Sequence, residues 1–418
     1  MQAKIDDLIC TPATYADSAL YHRIFNSLRR DDPVHWVEPQ DYRPFWLITK
    51  LEDIREVERQ NDIFLNAGRP TLRSRTEEEK IRAVTGGKPD VFETILHMDG
   101  MDHRAHRAVA QSWFMPANLK KLEGAIAQVA REFVDRLERQ GGTADFCEVV
   151  AARYPLRIIM TIFGVPPEDE DQMLYYSKMI TAPTDDDVET TEPRNELRIR
   201  AAQGLFDYFR KLLADRRANP RDDLSSVIAN AEVDGKPISE LAALSYCVTI
   251  ATAGHDTTSM TSSGGLLALV QHPEQMARLR ADRSLMPGAI DEILRFVSPV
   301  KHMMREAKVD AIVRGKQIRA GDSLMLCFPS GNRDEDVFDN PHEFRIDRSP
   351  NRQIAFGSGV HSCLGLHLAK MEIRALYAEL LDRVDRFELD GTPGFYKGFV
   401  VQGLKHLPIR YSMSKVTA

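Results

Sequence analysis

The stretch from Ser239 to Gln271 limits the fold more than any other feature of the chain. It reads as one helix, ended by His272-Pro273. At ~1.5 Å per residue such a helix crosses roughly 50 Å, so a large domain must surround it. Its outer turns, "LAALSYCVTI" and "LLALV", are apolar and suit burial. Its centre, "ATAGHDTTSMTSSGG", is rich in Thr, Ser, Asp and Gly, all mediocre to poor helix formers; Gly alone costs about 1 kcal/mol against Ala. That weak centre falls deep inside the protein, so Asp256 and Thr257 are expected to be buried polar groups that need partners. Two readings stand. One is a kink, with Thr hydroxyls bonded back to carbonyls one turn earlier. The other is a ligand notch opened by Gly254 and the kink, beside a carboxylate and a hydroxyl that handle protons. His255, between them, either modulates proton entry or has no role.

A net charge of −7 over 418 residues carries no bias toward nucleic acid or anionic membranes. Five scattered cysteines, never spaced as CxxC, give no support for a disulfide framework or zinc ribbon and fit a reducing cytoplasm. The longest apolar runs, such as "LRIIMTIFGV", fall short of the ~20 residues of a membrane span. The expectation is a cytoplasmic protein without membrane anchor. With no repeat and no Pro/Gly/Ser-rich linker, residues 1–418 are expected to form a single domain. "PVHWVEP" and "PFWLITK" predict a hairpin around "QDYR". Helical periodicity dominates from about 103 to 295, and strands return at 311–328, so the fold class is mainly α with minor β. Residues 68–90 mix charges without an apolar face for a buried helix and are expected to be a long surface segment, a lid or simply loose.

Two further stretches break local rules. In "DEILRF", Glu292 and Arg295 stand i and i+3 on a helix beside apolar neighbours; alone, such a pair is a surface salt bridge worth ~0 to 1 kcal/mol. In "FGSGVHSCLG", Cys363 precedes a helix whose Leu364, Leu368, Met371, Ala375 and Leu376 keep helical spacing. A helix N-terminus favours thiolate. Gly357 and Gly359 allow a tight loop, and Gly365 allows close backbone approach. Cys363 could be inert, a nucleophile with His361 as base, or a metal ligand; a lone thiolate in a Gly-lined loop suits a metal whose other positions are already filled.

Together these stretches resemble the cytochrome P450 superfamily of haem-thiolate monooxygenases. "FGSGVHSCLG" resembles its haem loop through Phe356, Gly357, Gly359, Cys363 and Gly365. "AGHDTT" resembles its oxygen-binding helix, Glu292/Arg295 its buried ExxR pair with Arg348 as third member, and His103/Arg107 in "HRAHR" its bacterial HxxxR pair. The resemblance runs from about residue 15 to 411 and is similar in detail to the bacterial terpene-alcohol hydroxylase branch. It implies the P450 fold, haem b (iron protoporphyrin IX) and Cys363 as iron ligand. His103, Arg107, Arg305 and His361 would hold the propionates, with Ala253 and Gly254 beside the oxygen site and Asp256 and Thr257 relaying protons. His106 lies off the His103/Arg107 face and is expected at the surface.

By family position the substrate pocket comprises Leu96, Met98, Met101, Ile250, Ala253, Thr257, Val300, Met303, Val400 and Val401, nearly all apolar. The resemblance then implies O2 insertion into a C–H bond of a small hydrophobic molecule, a monoterpenoid or aromatic hydrocarbon. No flavin or nucleotide motif is present. Electrons are expected from a [2Fe–2S] ferredoxin with its NAD(P)H-dependent reductase, docking on a face that includes Lys120, Lys121, Arg352 and Lys370 of a monomer. A peroxide-driven peroxygenase and a non-enzymatic haem sensor are the alternatives.

Overall fold

The computed structural model describes residues 2–90, 92–181 and 194–414. It is mainly helical with small sheets, and the chain divides into two compact units.

The first unit comprises residues 1–104, 291–364 and 397–403. Its centre is a five-stranded sheet in the order Val34–Val37, Phe45–Ile48, Ser323–Leu326, Met303–Ala307, Phe64–Leu65. The pairing of Phe45–Ile48 with Ser323–Leu326 is parallel and the rest antiparallel. Alternation of side chains along a strand feeds both faces. Phe45 and Leu47 join an apolar cluster with Tyr21, Phe25 and Met304, whereas Ile48 joins Ile54, Phe64, Leu324 and Phe328. The hairpin read at 33–50 is therefore present, as is a second one, Ala311–Val313 with Lys316–Ile318. The second turns at Arg314 and Gly315, both at positive φ (46° and 76°), as a two-residue hairpin loop requires.

Residues 68–90 are not all loop: Arg75–Thr85 is a helix with no buried residue. Local signals and the ion pairs of Glu78 with Arg43 and Arg69 hold it. Ser74 and Glu77 form a reciprocal capping box, Gly86 closes the C-terminus at φ 67°, and the sequence between is rich in Glu, Lys, Arg and Ala. A search for an apolar face misses such a helix.

The second unit comprises residues 105–290, 365–396 and 404–418. The long helix runs unbroken over Glu240–Gln271, with Ser239 as N-cap accepting from the Ala242 N–H at 3.1 Å. Several hydroxyls of its polar centre are satisfied within the helix. Thr249, Thr252, Thr257, Thr261 and Ser263 each donate a hydroxyl to the carbonyl four residues earlier, at 2.7–2.9 Å. The helix after Cys363 begins at Leu366 and ends at Arg383. Leu368 and Leu376 are buried as expected, but Met371 and Ala375 are only half-buried; Glu372, Ile373 and Tyr377 take the inner positions. Tyr377 donates to the Ser262 carbonyl at 2.7 Å, and Tyr154 donates to the Glu372 carbonyl at 2.8 Å, which fixes that face against the long helix and helix Tyr154–Phe163. Among the described residues, no helix is long and apolar enough to cross a membrane.

Candidate functional site

Of the five cysteines, only Cys363 is exposed. Burial pushes the Cys10 thiol up to about 12, the Cys327 thiol up to about 11, and the Cys147 and Cys247 thiols upward too. Cys327 lies 3.1 Å from the Tyr21 hydroxyl inside an apolar cluster, an environment that keeps a thiol protonated. Cys363 instead ends a loop in which Gly357 and Gly359 both adopt the left-handed conformation, φ 64° and 68°. A Cβ on Gly359 would stand 2.8 Å from the Glu58 carbonyl oxygen, so the loop lies against helix Leu51–Arg59 more closely than any side chain allows. The Cys363 N–H donates to the Phe356 carbonyl at 2.9 Å and closes the loop.

Glu58 anchors this loop and gave no sequence signal, being one acid in an ordinary amphipathic helix. Its carboxylate accepts from Ser358 Oγ at 2.6 Å and from Arg305 Nη2 at 3.1 Å, and burial raises its pKa. Arg305 is buried too, donating also to the Met304 carbonyl at 2.8 Å. His361 and His103 lie with ring centroids 4.0 Å apart, and His361 Nε2 is 3.5 Å from Asp99 Oδ1. Burial pushes the Asp99 pKa up, but His361 and the N–H groups of Asn66 and Ala67 outweigh it and hold the carboxyl below its ordinary value. The structure thus gathers Arg305, His361 and His103 around the loop. Arg107 is half-buried one turn beyond His103 on helix Gly100–Gln111. His106, expected at the surface, is half-buried, because the Tyr246 hydroxyl reaches its carbonyl at 3.0 Å.

Glu292 and Arg295 are fully buried, not a surface pair. Arg295 Nε and Nη2 grip the two Glu292 oxygens at 2.8 Å each; Nη1 donates to the carbonyls of Asn332 and Pro341, also at 2.8 Å. Arg348 Nε reaches the same carboxylate at 3.2 and 3.3 Å, joined by the Arg345 N–H and Asn351 Nδ2. Burial raises the Glu292 pKa, but these donors outweigh it and hold the carboxyl below its ordinary value. Asn332 carries the network to the Cys363 loop: its Oδ1 accepts from the Ile354 N–H at 2.8 Å, and the Ile354 carbonyl accepts from the Gly357 N–H at 3.0 Å. Arg333, which donates to the Arg295 and Phe296 carbonyls, extends it. Both residues lie in the stretch "NRDEDVF", whose pattern pointed to Arg348 but not to them.

On the long helix, Ile250, Ala253, Gly254 and Thr257 share one face, and that face is open: Ala253 is exposed and the other three are half-buried. Thr257, on that face, and Asp256, which stands off it beside His255, are half-buried rather than fully buried, and Asp256 Oδ2 is inaccessible. Gly254 also has a different neighbour than expected. A Cβ there would stand 2.8 Å from Ile159 Cδ1, so the missing side chain lets helix Tyr154–Phe163 pack closely. His255, by contrast, is 2 % exposed and held on several sides. Its Nε2 is 2.6 Å from the Ala152 carbonyl oxygen, and its Nδ1 is 2.9 Å from Ser177 Oγ and 3.2 Å from Asp256 Oδ1.

The expected pocket residues are spread over several elements. Leu96 lies in a short 3-10 turn, Ile95–His97, and Met98 follows it, half-buried. Met101 is 73 % exposed, on the outer side of its helix. Val300 bridges to Val401, and the Lys301 N–H donates to the Val400 carbonyl at 2.8 Å, so 299–301 and 400–402 form a short antiparallel pair. Val300 and Met303 also pack partly on the sheet core.

The chain matches the family model described as Cytochrome P450 over residues 22–394. It is 39% identical over 412 residues to cytochrome P450-terp of a Pseudomonas species, covering 97% of this chain and 96% of that one. It is 30% identical to linalool 8-monooxygenase of Pseudomonas putida, covering 93% and 95%. The crystal structure of CYP108D1 from Novosphingobium aromaticivorans is 40% identical and superposes with a TM-score of 0.92 over 99% of both chains. A buried ExxR network tied to a glycine loop with one exposed thiol, matched over nearly the whole length of these proteins, makes the chain a member of the cytochrome P450 family of haem-binding monooxygenases.

Proposed function

We propose that the chain is a single cytochrome P450 domain in which Cys363 supplies the thiolate to haem b, and which hydroxylates a monoterpenoid or similar small hydrocarbon. The observation that carries this reading is the exposure of Cys363 alone among five cysteines, at the end of a loop that only glycines can form. The donor set fits an iron porphyrin: one accessible thiol for the metal, with His103, His361, Arg305 and Arg107 as basic partners for two carboxylates. Bound haem supplies dioxygen activation, with the thiolate's electron density favouring O–O cleavage.

The chain's own residues do the rest. Glu58 and the Asn332 bridge hold the Cys363 loop in shape. Thr257, on the open face of the long helix, and Asp256 beside it bring and hold protons. Thr257 already donates to the Ala253 carbonyl at 2.9 Å and is free to accept on its other side. Ile250, Val300, Met303, Val400 and Val401 offer apolar surface for the substrate, with no charged group among them. The kinship to linalool 8-monooxygenase supports a terpenoid. Electrons would come from a [2Fe–2S] ferredoxin and its reductase in the cytoplasm, Lys120, Lys121, Arg352 and Lys370 forming part of the docking face.

A screen of Soret shifts against linalool, alkylbenzenes, polycyclic aromatics and fatty acids tests the substrate class. Terpenoids should give the largest displacement of iron-bound water; a response confined to carboxylic acids would overturn the assignment. Cys363→Ser should abolish the thiolate-type band of the reduced carbon monoxide complex, whereas Cys327→Ser should keep it. The opposite pattern would move the ligand to Cys327.

A further inference from the structure

His255 is enclosed by three separate stretches of chain: the turn at Ala152, helix Glu170–Thr181 through Ser177, and the long helix itself. A carbonyl oxygen can only accept, so the 2.6 Å contact to Ala152 fixes a proton on Nε2. In the neutral ring Nδ1 is then the acceptor, and the Ser177 hydroxyl at 2.9 Å is placed to donate to it. In the protonated ring Nδ1 becomes a donor, and the Asp256 carboxylate at 3.2 Å is the acceptor within reach. Any buried imidazole needs a partner at each ring nitrogen; what sets this one apart is that its Nδ1 faces an acid as well as a hydroxyl. Here the tautomer is set by one neighbour, and the remaining nitrogen is shared between a hydroxyl and an acid.

We infer that His255 is a positioning residue for proton delivery: through Nδ1 it orients the half-buried Asp256 carboxylate beside the open face of the long helix, with Ser177 as the alternate partner that lets the acid go. The inference rests on the reading of Asp256 as a proton relay and adds what aims that acid. His255 acts through Asp256, which it precedes in sequence and restrains in space.

The test separates the two levels. His255→Gln keeps an N–H for the Ala152 carbonyl and removes the group facing Asp256; His255→Asn keeps an amide N–H near Nδ1. NADH-driven turnover is measured with linalool as the probe and a [2Fe–2S] ferredoxin with its reductase, following NADH consumed and hydrogen peroxide released. Asp256→Asn and His255→Gln should each slow NADH oxidation or raise the peroxide share by about tenfold. His255→Asn should recover to within about twofold of the parent, and His255→Gln should add nothing in the Asp256→Asn background. A second readout needs no turnover: in the diamagnetic reduced carbon monoxide complex, 15N-histidine NMR should show a protonated His255 Nε2. The Nδ1 resonance should move on Asp256→Asn while Nε2 stays. An impaired Asp256→Asn beside an unaffected His255→Gln, additive effects in the double variant, or an unmoved Nδ1 resonance overturns the inference alone. An unaffected Asp256→Asn overturns the relay reading and the inference with it.

Discussion

The Glu292–Arg295–Arg348 cluster and the centre of the long helix are both rich in polar groups, yet the fold uses them differently. In the first, each Glu292 oxygen and every Arg295 nitrogen has a partner, and both side chains are completely inaccessible. In the second, the hydroxyls bond back to their own helix, while Asp256 keeps 18 % of its side chain exposed. A saturated network holds a shape and offers nothing to a reactant. The helix centre satisfies several hydroxyls locally and leaves an acid and an alcohol half-buried, outside any saturated network.

The sharpest way to break this contrast is to remove one charge from the network. Glu292→Gln strands Arg295 and Arg348 in the interior and should cost about 3 to 5 kcal/mol, read from urea unfolding, with loss of retained haem. A loss below about 1 kcal/mol would mean that the buried pair contributes nothing that its neighbours do not.

A pH series comes next. The Glu292 carboxyl is held below its unfolded value near 4.5, so its contribution to stability is complete above that pH. It is lost as pH falls through the lower folded value, because the unfolded chain then binds the extra proton first. The stability gap between the parent and Glu292→Gln should therefore stay constant above about pH 5 and narrow in more acid solution. A gap unchanged down to the acid unfolding limit would contradict the network's electrostatic origin.

The smallest expected effects lie in the helix centre. Thr257→Val removes a hydroxyl that donates to the Ala253 carbonyl of its own helix, and should change stability by less than about 1 kcal/mol, seen in the thermal midpoint. Gly254→Ala gains helix propensity of about 1 kcal/mol but pushes Ile159 Cδ1, which stands 2.8 Å from the new methyl; the two should nearly cancel. A loss as large as that of Glu292→Gln in either variant would erase the distinction between the two regions.

Much of this was legible in the sequence because it depends on local spacing. The long helix, its N-cap Ser239, the hairpin at 33–50, the glycine loop around Cys363 and the i, i+3 spacing of Glu292 and Arg295 are all short-range patterns. The surface helix Arg75–Thr85 was missed because caps, propensity and the ion pairs of Glu78 hold it, whereas the search was for an apolar face. Exposure was misjudged wherever coverage by distant chain decides it, as at Asp256, Thr257, Met101 and His106.

Sequence alone thus marked the residues proposed to carry the chemistry: a thiol in a loop that needs left-handed glycines, an acid and an alcohol at adjacent positions on a helix, and a charged pair one turn apart. Tertiary structure decided which of those groups are saturated and which stay available. It assigned Glu58 to the Cys363 loop, Asn332 to the link between that loop and the ExxR network, and Ala152 and Ser177 to His255. The physical reason is that the partner of a hydrogen bond or ion pair is set by proximity in space, and in each of these pairings the two residues lie from about twenty to three hundred positions apart in the chain.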